Sequence, residues 1–205
     1  MSSRLTSQIV NHKFQIVNQI MAREIEKYKD RNYNGKEARL FKEWEMIDRR
    51  YEKDKQGSYI IRKRNGIGLP TVFDIVFNVK TITGVKRTED GDLKVPVFGK
   101  EHIMRITLPN NYPGADGQPQ FTFTTDVWHP NIRYYGDFKG RVCLNTGDSG
   151  VHTHLVDYID RVIDYLTYDD YHAKNEYPYP EDLDVAEWVL KQAEPQGWLQ
   201  FKQDE

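Results

Sequence analysis

The sequence predicts an α+β fold in which helices pack on an antiparallel sheet. Two changes of hydrophobic period carry this expectation. Apolar residues recur at three- and four-residue steps as far as Tyr51, at alternate positions between Phe73 and Phe123, and at helical steps again from Leu155. A third observation is the stretch between Phe123 and Leu155, which follows neither period and is read as irregular chain.

Taken in order, Val10, Phe14, Val17, Met21, Ile25 and Tyr28 form the stripe of a first helix, broken at Asn32-Tyr33-Asn34-Gly35. That stripe is read as packing, with dimerisation through it left open. A second helix puts Leu40, Trp44, Ile47 and Tyr51 on one face, with Arg39, Lys42, Arg49 and Arg50 among its polar positions, and stops by Gly57. Phe73, Ile75, Phe77, Val79 and Thr81 predict one strand. Thr88-Glu89-Asp90-Gly91-Asp92 predicts a turn or hairpin tip. Met104, Ile106 and Leu108 predict a further strand, Phe121 and Phe123 another, and the Asn/Gly/Pro-rich run from Pro109 to Pro119 a loop. Leu155, Ile159, Val162 and Leu166 mark a helix, Tyr177-Pro178-Tyr179-Pro180 an extended link, and Asp182 to Ala193 a last helix.

Composition sets the class. A chain of 205 residues, 38% hydrophobic and 29% charged, suits one compact domain with a terminal extension. A single cysteine cannot close an intramolecular disulfide. No apolar run approaches the ~20 residues of a membrane span, and the polar N-terminus lacks a signal-peptide pattern. The expectation is a cytoplasmic, soluble protein. Charge is unevenly distributed: residues 1–64 hold sixteen Lys/Arg against nine Asp/Glu, whereas residues 144–205 hold four against fourteen. The basic end is interspersed with acid, which favours a protein partner or a solvated helix face over nucleic acid.

The chemistry centres on Cys143, the only cysteine, enclosed by Gly140-Arg141-Val142 and Leu144-Asn145 and preceded at twelve residues by Asn131 of His129-Pro130-Asn131. A thiol is a nucleophile able to hold an acyl group, and an asparagine amide can donate to the oxyanion formed as that group moves. The pair points to carriage of a carbonyl group as a thioester.

Around these residues the sequence resembles a known family. Tyr112-Pro113, then Pro119, Phe121, Phe123, Thr124 and Thr125, then His129-Pro130-Asn131-Ile132, then Gly140 and Val142-Cys143-Leu144 are similar, in order, to the core of ubiquitin-conjugating (E2) enzymes. Arg39-Leu40 and Glu43-Trp44 resemble part of that family's first helix. The resemblance implies an E2-like domain over residues 34–205 of the ubiquitin-conjugating fold, with residues 1–33 as an added N-terminal helical extension. By resemblance, Cys143 accepts ubiquitin or a ubiquitin-like protein from an E1 enzyme and transfers it to a lysine amine. Asn131 stabilises the oxyanion or holds the active-site loop; His129 braces the turn and Pro130 rigidifies it. Arg39, Lys42, Arg49 and Arg50 meet the E1, and Asp169 or Asp170, or else Asp148, assists the incoming lysine. An E3 or a target protein is a further partner, and no cofactor, nucleic acid or membrane is implied.

The sequence also departs from that pattern. Tyr134-Tyr135-Gly136-Asp137-Phe138-Lys139 enlarges the loop between Asn131 and Cys143, and a Trp-x-Pro element after the cysteine is missing. The tail is short for both usual C-terminal helices, and the N-terminal helix is an addition. These features resemble the divergent prokaryotic E2-like proteins, some of which belong to antiviral systems.

Other readings compete. Cys143 alone could be a small buried hydrophobe. His152 and His154 with Cys143 and His129 suggest zinc, but capping or surface histidines fit the spacing better. His129 or His154 could serve a Cys-His hydrolase, although no protease oxyanion motif accompanies them. No glycine-rich phosphate loop is present. A non-catalytic E2-variant or RWD-type binding module is the alternative function.

Overall fold

The computed structural model describes residues 25–53, 59–64, 68–114, 116–144 and 153–203, with the backbone alone at 51–53 and 59–64. Val10, Phe14, Val17 and Met21 of the first predicted helix, and the predicted stop at Gly57, lie outside the described residues. Residues 25–29 are helical, and there the buried Ile25 and the Tyr28 ring, 5.5 Å from that of Trp44, pack on the core.

Helix α1 (Gly35–Lys53) buries Leu40, Trp44 and Ile47, a stripe at helical steps. Four antiparallel strands follow in the spatial order β1 (Tyr59–Arg64), β2 (Val72–Phe77), β5 (His102–Thr107) and β6 (Gln120–Phe123). The remaining two, β3 (Thr81–Arg87) and β4 (Lys94–Gly99), pair as a separate hairpin. Helix α2 (Leu155–Thr167) buries Leu155, Ile159, Val162 and Leu166 completely. A short α3 (Leu183–Trp188) runs on into a π-helical turn, Val189–Ala193.

The architecture is α+β with an antiparallel sheet, as the two periods predict. The expected single strand from Phe73 to Thr81 is two strands, because the chain turns after Phe77. Val79 and Thr81 are nevertheless buried, so the alternation continues through the break and conceals it. Strand β1 and the pair β3 and β4 escaped the reading apart from their tip at Thr88–Asp92, where Thr88 and Gly91 close a turn.

Two apolar cores result. The larger lies between the sheet (Phe73, Ile75, Met104, Ile106, Phe121, Phe123) and the inner faces of α1 and α2. The smaller joins Ile82 and Trp128 to Tyr168 and to Val185, Trp188 and Val189 of the C-terminal helical segment. The irregular chain after β6 lies across both: Trp128 belongs to the smaller core, and Ile132 to the larger. Burial at each end fixes His129-Pro130-Asn131 between them. No helix among the described residues is long and apolar enough to cross a membrane.

Candidate active site

His129-Pro130-Asn131-Ile132 forms a β-turn closed by the Ile132 N–H donating to the His129 carbonyl (2.9 Å). Proline holds its second position, where a fixed φ is already correct. Flanking bonds seat the turn. The Trp128 N–H donates to Ile82 O of β3 (2.8 Å), and Pro130 O accepts from Glu181 and Asp182 N–H (2.8 and 3.0 Å).

The enlarged loop is a hairpin. The Arg133 N–H donates to Arg141 O (2.9 Å), the Gly140 N–H to Arg133 O (2.7 Å) and the Cys143 N–H to Asn131 O (2.8 Å). Ile132 bridges Val142. A separation of twelve residues in sequence is thereby reduced to adjacent strands. The Phe123 N–H donates to Gly140 O and the Val142 N–H to Phe121 O (2.8 and 3.0 Å), so this ribbon continues the sheet beyond β6. Cys143 is half-buried, neither sealed in the core nor fully open.

Asn131 is buried, and its Oδ1 accepts from the His172 N–H (2.9 Å). A backbone N–H can only donate, so the oxygen must face His172 and the amide nitrogen must point the other way. Among the described residues Nδ2 has no hydrogen-bond acceptor, so it is available to a developing oxyanion.

His129 is enclosed. Its ring stacks on Tyr165 (centroids 4.8 Å, 20°) and contacts Tyr168 at the same distance. Nδ1 accepts from the Asn131 N–H (3.2 Å), which places the proton on Nε2, 3.3 Å from Asp170 O. Burial pushes its pKa down to about 3. A neutral imidazole with both nitrogens engaged braces the turn and makes a poor general base. His154 at the start of α2 is likewise occupied, with Nδ1 3.0 Å from the Glu43 carboxylate.

This burial has a pH consequence. His102 is also buried, and desolvation lowers its pKa. Both rings bind protons more readily when unfolded, so stability falls as pH drops below the unfolded value of ~6.5 towards the folded ones. His129 alone should cost on the order of 2 kcal/mol between pH 7 and pH 5, before most carboxylates titrate. Urea midpoints at the two pH values measure this; equal midpoints would mean that the rings are hydrated and protonatable in the folded protein.

The acidic candidates differ in setting. Asp169 accepts from the Thr167 hydroxyl (2.6 Å) at the end of α2. Asp170 pairs with Arg161 (3.2 Å) and offers its carbonyl to His129. Asp148 and Asn145 lie outside the described residues. Among the described residues no three His, Cys, Asp or Glu side chains group as metal ligands; His152 is not among these residues.

The four basic residues assigned to E1 contact do not share one free face. Arg39 is drawn inward, donating to Glu43 (2.5 Å) and to Thr153 O (2.5 Å), and Arg50 pairs with Asp160 of α2 (3.1 Å). Lys42 and Arg49 are exposed, and both pair with Glu45 on their own helix (3.2 and 2.6 Å). The division follows helical geometry: positions 39 and 43 border the buried stripe, while 42 and 49 point outward.

Sequence reasoning missed Tyr165, Tyr168 and the His172 N–H. The tyrosines stand one helical turn apart at the end of α2, a spacing that could have marked them. A backbone N–H leaves no trace in sequence.

No family model matches the chain. Among curated proteins, ubiquitin-conjugating enzyme E2 7 of Arabidopsis thaliana is 48% identical over 40 residues, 20% of either chain. Ubiquitin-conjugating enzyme E2 27 of the same plant is 35% identical over 68 residues, 33% of this chain and 31% of that one. The chain thus spans less than a third of the length of these curated relatives. Among solved structures, a protein assigned as a ubiquitin conjugating enzyme in Plasmodium yoelii superposes with a TM-score of 0.53 at 19% identity, over 80% of this chain and 90% of that one. A counterpart from Trypanosoma cruzi gives 0.51 at 16%, over 82% and 96%. With its helices packed on an antiparallel sheet, this chain has the fold of the ubiquitin-conjugating enzymes.

Proposed function

We propose that this chain is an E2-like conjugating enzyme that receives ubiquitin or a ubiquitin-like protein from an E1 as a thioester on Cys143 and passes it to an amine. The observation carrying this reading is the 2.8 Å backbone bond between Cys143 and Asn131, which holds a half-buried thiol residue beside an amide whose Nδ2 is free to donate. In loading, the Cys143 thiolate attacks the carbonyl carbon of the E1 thioester; the tetrahedral oxyanion collapses, expelling the E1 thiolate. In discharge, the acceptor nitrogen attacks the new thioester, loses a proton, and the Cys143 thiolate leaves. Asn131 Nδ2 serves the oxyanion of the second step, and His129 is a positioning residue.

In this reading residues 34–205 form the catalytic domain, residues 1–33 an extension, and Lys42, Arg49 and Arg50, with the more enclosed Arg39, the basic contribution to E1 docking. An E3 or a target protein completes the partners. Asp170 is better situated than Asp169 to influence the thiol, since its carbonyl holds His129. The prokaryotic subtype rests on the enlarged loop and the added N-terminal segment; the plant and protozoan proteins above do not speak to it.

Incubation with an E1, ATP and its ubiquitin or ubiquitin-like protein should give an adduct one modifier larger and sensitive to reductant. Cys143→Ser should give a reductant-resistant oxyester or none, and an adduct that persists in Cys143→Ala would overturn the assignment. Asn131→Asp keeps the acceptor for His172 but loses the donor, and should slow discharge onto lysine about 10²-fold while sparing loading. Binding of the modifier without any loading would favour the non-catalytic module.

A further inference from the structure

Cys143 is tethered on both sides of its Cα, and only one tether comes from the His129–Asn131 turn. Its N–H donates to Asn131 O at 2.8 Å, and its carbonyl accepts from the Tyr165 hydroxyl at 3.3 Å. Tyr165 is 1% exposed and cannot swing away without opening the core. Its ring lies flat on His129, with the Arg161 guanidinium 5.7 Å from its centroid. Arg161 pairs with the Asp170 carboxylate, and the Asp170 carbonyl receives His129 Nε2. From Cys143 the interactions pass through Asn131, His129, Asp170, Arg161 and Tyr165 and return to Cys143.

The two tethers together define the direction of the Cα–Cβ bond. With the N–H fixed and the carbonyl free, rotation about φ of Cys143 would swing Cβ and the sulfur relative to Asn131 Nδ2. We propose that Tyr165, braced by the Arg161–Asp170 ion pair, is a positioning residue that aims the Cys143 thiol at the Asn131 amide. Asp170 then acts on the thiol through Arg161 and Tyr165 rather than on the incoming amine. The catalytic consequence rests on the proposed function; the positioning itself does not.

Tyr165→Phe removes the hydroxyl and keeps the stacked ring, so the fold should survive. Misplacing a reacting atom by about 1 Å can cost up to roughly 10²-fold in rate. For the loaded Tyr165→Phe protein we expect about a tenfold fall in the maximal discharge rate onto free lysine, with half-saturating lysine and loading amplitude unchanged. The iodoacetamide rate of the unloaded thiol should also change by about threefold. Arg161→Gln, a change on the partly exposed side of α2, should shift both rates in the same direction. Unchanged alkylation and discharge rates in folded Tyr165→Phe would overturn the proposal. So would loading and discharge falling together, in proportion to lost folded protein. If wild-type protein cannot be loaded at all while the alkylation rate still responds to Tyr165→Phe, the conjugating function fails and the positioning stands.

Discussion

Glu43→Ala should destabilise the protein by about 3–5 kcal/mol, the range for removing one partner from a buried charged network. Glu43 is wholly buried on α1, yet its carboxylate is surrounded by donors from three parts of the chain. Arg39 Nε lies at 2.5 Å, the Tyr112 hydroxyl at 2.7 Å, His154 Nδ1 at 3.0 Å and the Leu155 N–H at 2.8 Å. The last is an N–H of the first turn of α2, which has no partner within its own helix, so Glu43 caps a helix remote from it in sequence. Removal would leave the Leu155 N–H and the Tyr112 hydroxyl proton without their acceptor and would take the carboxylate from the half-buried Arg39 guanidinium. Urea unfolding should show the loss as a lower midpoint at an unchanged m-value. Glu43→Gln retains the shape but turns two donors towards each other, and should lose about 1–3 kcal/mol. A loss below about 1 kcal/mol in Glu43→Ala would mean that water replaces the carboxylate at little cost.

Gly140→Ala should be of comparable severity and should act directly on the site. Gly140 has φ +85°, and an added Cβ would stand 2.0 Å from Phe123 O and 3.0 Å from Phe123 C, both backbone atoms that cannot rotate away. The hairpin must then separate from β6, breaking the Phe123–Gly140 and Val142–Phe121 bonds. Strain and overpacking of this kind each cost about 1–3 kcal/mol. Because Cys143 lies three residues further on, the reactivity of its thiol, and with it the proposed thioester loading, should be lost even where the rest of the protein remains folded. The paired measurement is urea stability with the alkylation rate of Cys143. Stability and thiol reactivity both near wild type would show that the ribbon does not depend on its approach to β6.

Much of this protein was legible in its residues. Leu155, Ile159, Val162 and Leu166 mark a helix because burial on one side of a 3.6-residue repeat leaves that spacing in sequence. Phe121 and Phe123 mark a strand for the same reason at period two. Val79 and Thr81 show the limit of that logic: burial sustains a period across a turn, so the pattern reports which side faces the core without reporting where the chain reverses.

His129-Pro130-Asn131 and Cys143 suggest the proposed chemistry by residue type, and a β-turn with proline at its second position is a local matter. Only the tertiary structure decided that twelve residues would fold into a hairpin and make Asn131 and Cys143 neighbours, since cross-strand pairing leaves no mark on either strand alone. It also decided that Arg39 faces inward to Glu43 while Lys42 faces water, and that His129 is a neutral brace between two tyrosines. Local residue preferences fix helices, strands and turns; what a charged or nucleophilic side chain does depends on neighbours brought from distant parts of the chain, because burial and hydrogen bonding set its charge and reach.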